Sequence, residues 1–288
     1  MKHWVKSTLR RAPGVRALAR RGAALFKSLA YAESGLYTLC YHQVPDAQQD
    51  LFAAQLRHLG RHGDFIDADS AVDRLAAGWP AGERAFLITF DDGYADTFEV
   101  ARPVLKALGV PGIVFLVSDW IDVPPSTPPG LDRAPSLAPS GRLYMNRSEV
   151  AAWCADGLDI GSHTATHPRL SRLGRDRVAD EIARSRRDLA DLTGREIRHF
   201  ACPWGVAGHD FHPERDPALA LECGYRTFFT TRRGRALCPA DLPMLPRHVV
   251  EPYWPVSDFD ALMGGRRTGW PAAGTAKGTA KGGAKGTA

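Results

Sequence analysis

Residues 86–94 read FLITFDDGY, an apolar run that ends in two adjacent aspartates and a glycine. The run from Phe86 to Phe90 is short, β-branched and aromatic, which predicts a buried strand. Two carboxylates are costly inside a core, but the end of a parallel strand can accommodate them at the mouth of a sheet or barrel. Asp91 and Asp92 are therefore candidate functional residues. The alternative is a strand-to-helix loop in which Asp92 caps the helix.

Strands and helices alternate along the chain at short intervals. We predict strands at 36–44, 85–90, 110–117, 158–163, 197–202, 225–230 and 244–250, and helices at 51–62, 95–108, 147–156, 176–192 and 217–223. This alternation predicts an α/β fold built on a parallel sheet or barrel. A proline-rich stretch at 123–141 predicts a surface loop or lid.

Composition divides the chain into three predicted segments. Residues 1–34 form a basic N-terminal extension, residues 35–262 form one domain, and residues 263–288 form a disordered tail rich in Ala, Gly, Thr and Lys. An amphipathic basic helix is predicted over 4–30. It could lie on a membrane surface or a partner, or pack on its own domain.

The bulk properties exclude several classes of protein. The net charge of +5 over 288 residues is modest, and its basic residues gather at the two ends without interleaved aromatics, so no nucleic-acid partner is expected. No apolar stretch approaches about 18 residues, and no long apolar segment precedes a cleavage site, so neither a transmembrane helix nor a secretory signal is expected. Five scattered cysteines favour reduced thiols and a cytoplasmic location, with membrane association through the N-terminal helix as an option.

Two histidines stand four residues apart just after a predicted strand, at His163 and His167. Imidazole is the commonest metal-ligand side chain and suits zinc at neutral pH. Position 164 is Thr, so the Glu of an H-E-x-x-H protease site is absent. Two imidazoles and one carboxylate would complete a three-ligand site with room for water, and the second carboxylate would be free to act as a base.

With these residues the sequence resembles the NodB-type polysaccharide deacetylases, carbohydrate esterase family 4. The matching motifs are TFDDGY at 89–94, SHTATHP at 162–168, FACPWG at 200–205 and LPRH at 245–248. YHQV at 41–44 is similar to the start of the poly-N-acetylglucosamine deacetylase branch. The resemblance runs from about residue 37 to 250, which makes 35–262 the expected catalytic domain. It implies an irregular, seven-stranded (β/α) barrel that deacetylates an N-acetylated sugar.

The resemblance also implies roles for the two pairs of residues. Asp91 would be the general base. Asp92 would bind a divalent metal, most naturally Zn²⁺, together with His163 and His167. The implied partner is a carbohydrate substrate.

The remaining motifs imply further roles and contain departures from the family. The backbone N–H of Trp204, where the family usually has Tyr, would stabilise the oxyanion, and His248 would be the general acid that protonates the leaving amine. The family usually has an Arg at position 201 that orients the catalytic Asp, but here the residue is Ala201. We hypothesise that Arg247 supplies that guanidinium. Pro246 replaces the usual Leu two residues before the acid.

Three functions are compatible with the sequence. The first is a metal-dependent N-deacetylase of an N-acetylated sugar or polysaccharide. The second keeps the site but acts on a lipid- or nucleotide-linked sugar intermediate of surface-polysaccharide synthesis, by deformylation, deacetylation or ester hydrolysis. The third is a non-catalytic sugar-binding relative. His42 ends the first predicted strand and either lines the site or has a structural role.

Overall fold

A computed structural model describes residues 34–123 and 136–257 of the chain. The predicted helix over 4–30, the central part of the proline-rich stretch and the tail at 263–288 lie outside the described residues. In the part that is described, no helix is long and apolar enough to cross a membrane.

The described chain forms eight strands and six α-helices. The strands are β1 (Gly35–Tyr41), β2 (Asp64–Phe65), β3 (Arg84–Phe90), β4 (Gly112–Leu116), β5 (Asp159–Ser162), β6 (His199–Ala201), β7 (Thr227–Phe229) and β8 (His248–Val249). The α-helices are α1 (Gln49–Leu59), α2 (Ala68–Ala77), α3 (Arg102–Leu108), α4 (Arg147–Ala155), α5 (Arg175–Thr193) and α6 (Asp216–Glu222). Short 3₁₀ turns occupy Asp46–Gln48, Ser118–Trp120, Leu170–Arg172 and Pro239–Met244, and a π-helical turn occupies Thr97–Ala101.

The strands form one parallel sheet that curls on itself. Its order is β7-β6-β5-β4-β3-β1-β8, and the short β2 pairs with β3 outside this path. Leu245 forms a bridge with Phe229 of β7, and three residues later His248 pairs with Leu39 of β1, so one segment joins both ends of the sheet. The predicted irregular (β/α) barrel is confirmed, with seven strands on the path and β2 in addition.

The two faces of the curled sheet pack against different partners. Because side chains alternate along a strand, Tyr37, Leu39 and Tyr41 of β1 belong to the large cluster that packs against the helices. Leu36 belongs to a smaller cluster inside the curl, together with Phe115. Because the strands are parallel, their carboxyl ends all open at the same rim. A parallel barrel places its functional loops at this rim.

Besides the short β2, which was not predicted, two helices differ from the sequence prediction. The helix α2 was not predicted; its signal is Asp67, whose side chain accepts a hydrogen bond from the Ser70 N–H as an N-cap. The single helix predicted over 95–108 is divided into a π-helical turn and α3. Proline lies in the first turn of α3, where its missing N–H interrupts the regular hydrogen-bond ladder.

Candidate active site

The two aspartates leave β3 through a tight turn. The Asp91 N–H donates to the Tyr41 carbonyl at 2.9 Å and extends the pairing with β1 by one residue. Asp92 then adopts φ 72° and Gly93 adopts φ 74°, both left-handed. A Cβ at Gly93 would lie 2.6 Å from the Leu116 side chain, so glycine is required there for space as well as for its backbone angle. The turn lets the neighbouring carboxylates meet different partners.

Asp92 faces the two predicted metal-ligand histidines. Its Oδ1 lies 3.5 Å from Nε2 of His163 and 3.3 Å from Nε2 of His167. One donor atom from each of the three residues lies within 4.8 Å of the others. The Asp92 Oδ1 is buried and has no hydrogen-bond partner among the described residues. A buried carboxylate oxygen without a partner is costly, and a cation between these three side chains would satisfy it.

The protonation of His163 also suits a metal. Its Nδ1 lies 2.8 Å from the Ala201 carbonyl oxygen, which can only accept, so Nδ1 carries the hydrogen. Burial lowers the pKa of His163 to about 4, although the negative charge of Asp91 acts in the opposite direction. The ring is therefore neutral at pH 7. The Nε2 lone pair is then directed at Asp92, which is the arrangement of a metal-ligating histidine. The three residues fit a divalent cation.

Backbone strain is concentrated at this rim. Five non-glycine residues in the described ranges have left-handed φ angles, and Asp122 alone is outside the candidate site and its loops. The other four are Asp92 (72°), Thr164 (69°), His167 (62°) and Trp204 (55°). Such angles are unfavourable for residues with a Cβ and persist where surrounding contacts enforce them, often at functional sites.

Asp91 is bound by a fully buried arginine. Arg247 donates from Nη1 to Oδ1 at 2.6 Å and from Nη2 to Oδ2 at 2.8 Å, and its Nε donates to the Thr230 carbonyl at 3.0 Å. Burial alone would raise the pKa of Asp91, but the Arg247 charge and the hydrogen bonds that Arg247 donates outweigh it, and the pKa is lowered. The contact required by the Arg247 hypothesis is therefore present, across the barrel from Ala201. Its functional role stays a prediction.

A second group of donor atoms lies beside the first. Cys40, His42 and Asp91 also bring one donor atom each within 4.8 Å. Both Asp91 oxygens, however, are already engaged by the Arg247 cation, and burial raises the pKa of the Cys40 thiol well above its ordinary value. Both facts disfavour a cation in this group. The group that contains Asp92 is therefore the better candidate for a cation.

The structure does not bring His248 to the carboxylates. Adjacent residues of a strand face opposite sides, and Arg247 occupies the inside of the curl. His248 pairs with Leu39 on the outer face, its Nε2 lies 2.9 Å from the Gly234 carbonyl oxygen, and its ring stacks on Tyr37 with centroids 6.3 Å apart. This placement disfavours the general-acid role implied for His248, which stays a prediction.

A different histidine, His42, lies beside Asp91. His42 follows β1 as Asp91 follows β3, and the register pairs Tyr41 with Phe90, so the next residue of each strand meets at the rim. His42 is half-buried, with a ring nitrogen within 4.8 Å of an Asp91 oxygen. The sequence signal was a histidine near the end of the first predicted strand. It could not be weighed without knowing that β1 and β3 are neighbours.

Trp204 follows β6 and packs over a metal-ligand histidine. Its ring centroid lies 4.4 Å from that of His167, and the Arg169 guanidinium lies 4.3 Å from the Trp204 ring. Thr231 donates from Oγ1 to the Trp204 carbonyl at 2.8 Å. The Trp204 N–H donates no backbone hydrogen bond within 34–123 and 136–257. This N–H is available to a ligand.

An aromatic wall and a tethered loop complete the rim. Trp120 lies 5.0 Å from His167 and 4.8 Å from Tyr144, measured between ring centroids. Gln43 holds the loop that leads to Tyr144 by two hydrogen bonds: its Nε2 donates to the Ser136 carbonyl at 2.6 Å, and its Oε1 accepts from the Ser136 N–H at 2.9 Å. The metal-ligand side of the site is thus bordered by apolar ring faces.

Comparisons with known proteins agree with this fold. The family model described as polysaccharide deacetylase matches residues 79–227, just over half of the chain. The putative polysaccharide deacetylase YxkH of Bacillus subtilis (strain 168) is 26% identical over 229 residues, which cover 77% of this chain and 74% of that protein.

Solved structures extend the likeness to the whole barrel. The structure of IcaB from Ammonifex degensii superposes with a TM-score of 0.64 at 25% identity, and the match covers 80% of this chain and 97% of that one. The deacetylase domain of BpsB from Bordetella bronchiseptica gives a TM-score of 0.61 at 22% identity, covering 75% and 96%. The Streptococcus pyogenes deacetylase PplD, in complex with acetate, gives 0.63 at 19% identity, covering 80% and 99%. The last two support the fold alone.

Proposed function

Because the chain belongs to the polysaccharide deacetylase family, whose enzymes hydrolyse amide bonds of acetylated sugars, we propose that it is a metal-dependent N-deacetylase of an N-acetylated amino sugar. One observation carries the proposal. The unpartnered oxygen of Asp92 faces two imidazoles, while the neighbouring Asp91 is kept ionised by Arg247. In this proposal Asp92 binds the metal and Asp91 transfers the proton.

The metal would be held by Asp92, His163 and His167. Two imidazoles and one carboxylate with an open position are typical of a catalytic Zn²⁺ site. When bound, such an ion polarises a carbonyl oxygen and lowers the pKa of a water molecule. The other steps fall to the side chains and backbone of the rim.

Asp91 would take the proton of the attacking water. A general base must be ionised and fixed within reach of that proton. Arg247 supports both requirements, because its charge lowers the Asp91 pKa and its two parallel N–H groups fix the carboxylate plane. A single Arg thus replaces the support that Ala201 cannot give.

The backbone N–H of Trp204 would stabilise the oxyanion that forms at the acetyl carbon. Its left-handed φ of 55° and its lack of a backbone acceptor support this role. The Trp204 ring packs against both His167 and the Arg169 guanidinium. These contacts hold the residue in place and so fix the direction of its backbone N–H.

His42 would protonate the departing nitrogen. In the hydrolysis, water forms the new C–O bond and gives its proton to Asp91, the C–N bond breaks, and the nitrogen takes a proton to leave as a free amine beside acetate. An amine is a poor leaving group unless it is protonated, so an acid must stand near the base. His42 is the histidine whose ring lies beside Asp91 without being assigned to the metal.

Substituting His42 tests this assignment. We expect His42→Gln to lower the turnover of an N-acetylated sugar by about 10²- to 10⁴-fold, the usual contribution of a general acid. The same variant should hydrolyse an acetyl ester of a phenol with little loss, because a phenolate leaves without being protonated. The measurement is steady-state kinetics on both substrates with the metal content matched.

His248→Gln is the matched control for His42→Gln. The His248 ring of the wild type stacks on Tyr37 outside the curl, so replacing it should leave the turnover of both substrates within a few-fold of the wild-type value. Equal losses of amide hydrolysis in the two variants, or equal losses on amide and ester in His42→Gln, would exclude His42 as the acid.

The proposed function is tested on a panel of substrates. Purified protein loaded with Zn²⁺ is incubated with N-acetylated and N-formylated amino sugars as free oligosaccharides, lipid-linked sugars and nucleotide-linked sugars. Mass spectrometry then looks for loss of the acyl group, with Asp91→Asn as the inactive control. If the folded, metal-loaded protein deacylates none of them but binds a sugar, the non-catalytic alternative is correct.

A further inference from the structure

The loop that carries both metal-ligand histidines has a strained backbone. Thr164 and His167 have φ angles of 69° and 62°, and only three residues separate the two imidazoles. A left-handed backbone is unfavourable for residues with side chains, so the loop needs partners that enforce this conformation.

One face of the loop is held by the backbone. The carbonyl of Thr164 accepts from the Ser118 N–H at 3.3 Å, and the carbonyl of Ala165 accepts from the Asp119 N–H at 3.0 Å. Within the loop, the His167 N–H donates to the Thr164 Oγ1 at 2.9 Å. These contacts leave the N–H groups of the middle residues to be satisfied from elsewhere.

A single carboxylate satisfies them. Glu181 of α5 accepts from the Ala165 N–H at 3.1 Å and the Thr166 N–H at 2.9 Å through Oε2, and from the Thr166 Oγ1 at 2.9 Å through Oε1. All three donors lie between His163 and His167.

Packing alone does not explain this glutamate. Glu181 is 2% exposed and lies in the buried stripe of α5, next to Ile182 and one turn from Val178. No basic side chain in the described ranges pairs with it within 4 Å. An ionised carboxylate in such a stripe is costly unless its hydrogen bonds compensate. The three loop donors are that compensation, so the carboxylate and the loop conformation depend on each other.

We propose that Glu181 is a positioning residue of the metal site: its carboxylate fixes the loop so that His163 and His167 meet Asp92 with the spacing a metal requires. The inference rests on the proposed function in so far as the site binds a metal. Outer partners of metal ligands commonly contribute 10- to 100-fold in metal affinity. Glu181 acts one step further out, through the backbone that joins two ligands.

The experiment measures Zn²⁺ affinity rather than turnover. Glu181→Gln keeps the size of the side chain but replaces one accepting oxygen by an NH₂ group that cannot accept. We expect Zn²⁺, titrated against a chelating dye, to bind about 10- to 100-fold more weakly than in the wild type. We also expect the visible spectrum of the Co²⁺-loaded protein to change, because the ligand geometry changes. Thr166→Val removes one donor and should weaken binding by a few-fold while the loop stays folded.

Glu149→Gln is the matched control. Glu149 is also a buried glutamate, but it closes the capping box of α4 and pairs with Arg142, away from the histidine loop. This variant should lower the denaturant midpoint and leave Zn²⁺ affinity unchanged. Wild-type Zn²⁺ affinity in both Glu181→Gln and Thr166→Val, or equal weakening in Glu149→Gln, would overturn the inference. A wild-type protein that binds no metal would instead overturn the proposed function.

Discussion

Asp92→Asn is expected to lose the bound metal and turnover together, whereas Asp91→Asn should keep the metal and lose turnover alone. The two residues are adjacent and both buried, so general damage to the fold would affect them alike. Their contacts differ. Asp92 Oδ1 faces the two imidazoles without a hydrogen bond, and Asp91 is occupied by Arg247.

The expected magnitudes follow from the two roles. Removing the base should lower turnover by about 10²- to 10⁴-fold at unchanged metal content. Removing the carboxylate ligand should reduce the metal recovered with the protein towards zero and lower turnover at least as far. Metal analysis by mass spectrometry and deacetylation assays on the same preparations give both quantities. Loss of metal in Asp91→Asn with retention in Asp92→Asn would reverse the assignment.

Local sequence spacing was sufficient to predict that the candidate metal ligands meet at one rim. The aspartate pair ends a strand, the histidine pair follows another, and parallel strands open at one rim whatever their order. The candidate ligands could therefore be named before their neighbours were known, and the family resemblance implied that Asp92 rather than Asp91 is the carboxylate among them. What the spacing could not give is the carboxylate of Glu181, which reaches the histidine loop from a helix. The support of Asp91 by Arg247 was hypothesised from the resemblance, because Ala201 lacks the usual guanidinium.

The acid role implied for His248 is disfavoured for a physical reason that depends on strand pairing. Arg247 and His248 are adjacent on one strand, so they cannot both face the inside of the curl, and the close bond between Arg247 and Asp91 settles which of them does. His42 becomes a candidate once β1 is known to pair with β3. Alternation along a strand was readable from the sequence, but the strand order was not.

Arg247→Met is expected to be among the most destabilising substitutions in the barrel. Methionine has a similar length, so the cavity is largely filled, but Asp91 is left ionised and buried without its partner. Breaking a buried ion pair in this way typically costs about 3–5 kcal/mol of the free energy of unfolding. Urea denaturation of the metal-free protein measures it. The same variant should lose turnover, since nothing then fixes the base.

The double variant Asp91→Asn with Arg247→Met separates charge from packing. If Arg247 is needed because Asp91 is charged, the neutral pair should recover much of the lost stability, since replacing a buried ion pair by uncharged groups is often close to neutral. A double variant no more stable than Arg247→Met would mean that the guanidinium acts through its packing on Phe115 and Phe229 and its bond to the Thr230 carbonyl.

Arg215→Met provides a comparison elsewhere in the domain. Arg215 pairs with the fully buried Asp216 at the start of α6, so its loss should also destabilise the fold, but turnover per folded molecule should be preserved.

Arg247→Lys keeps the charge but cannot donate two parallel hydrogen bonds, so it should recover stability better than turnover. A larger recovery of stability than of turnover would show that the buried arginine has two roles. Its charge stabilises the buried, ionised base, and its planar geometry orients that base towards the water.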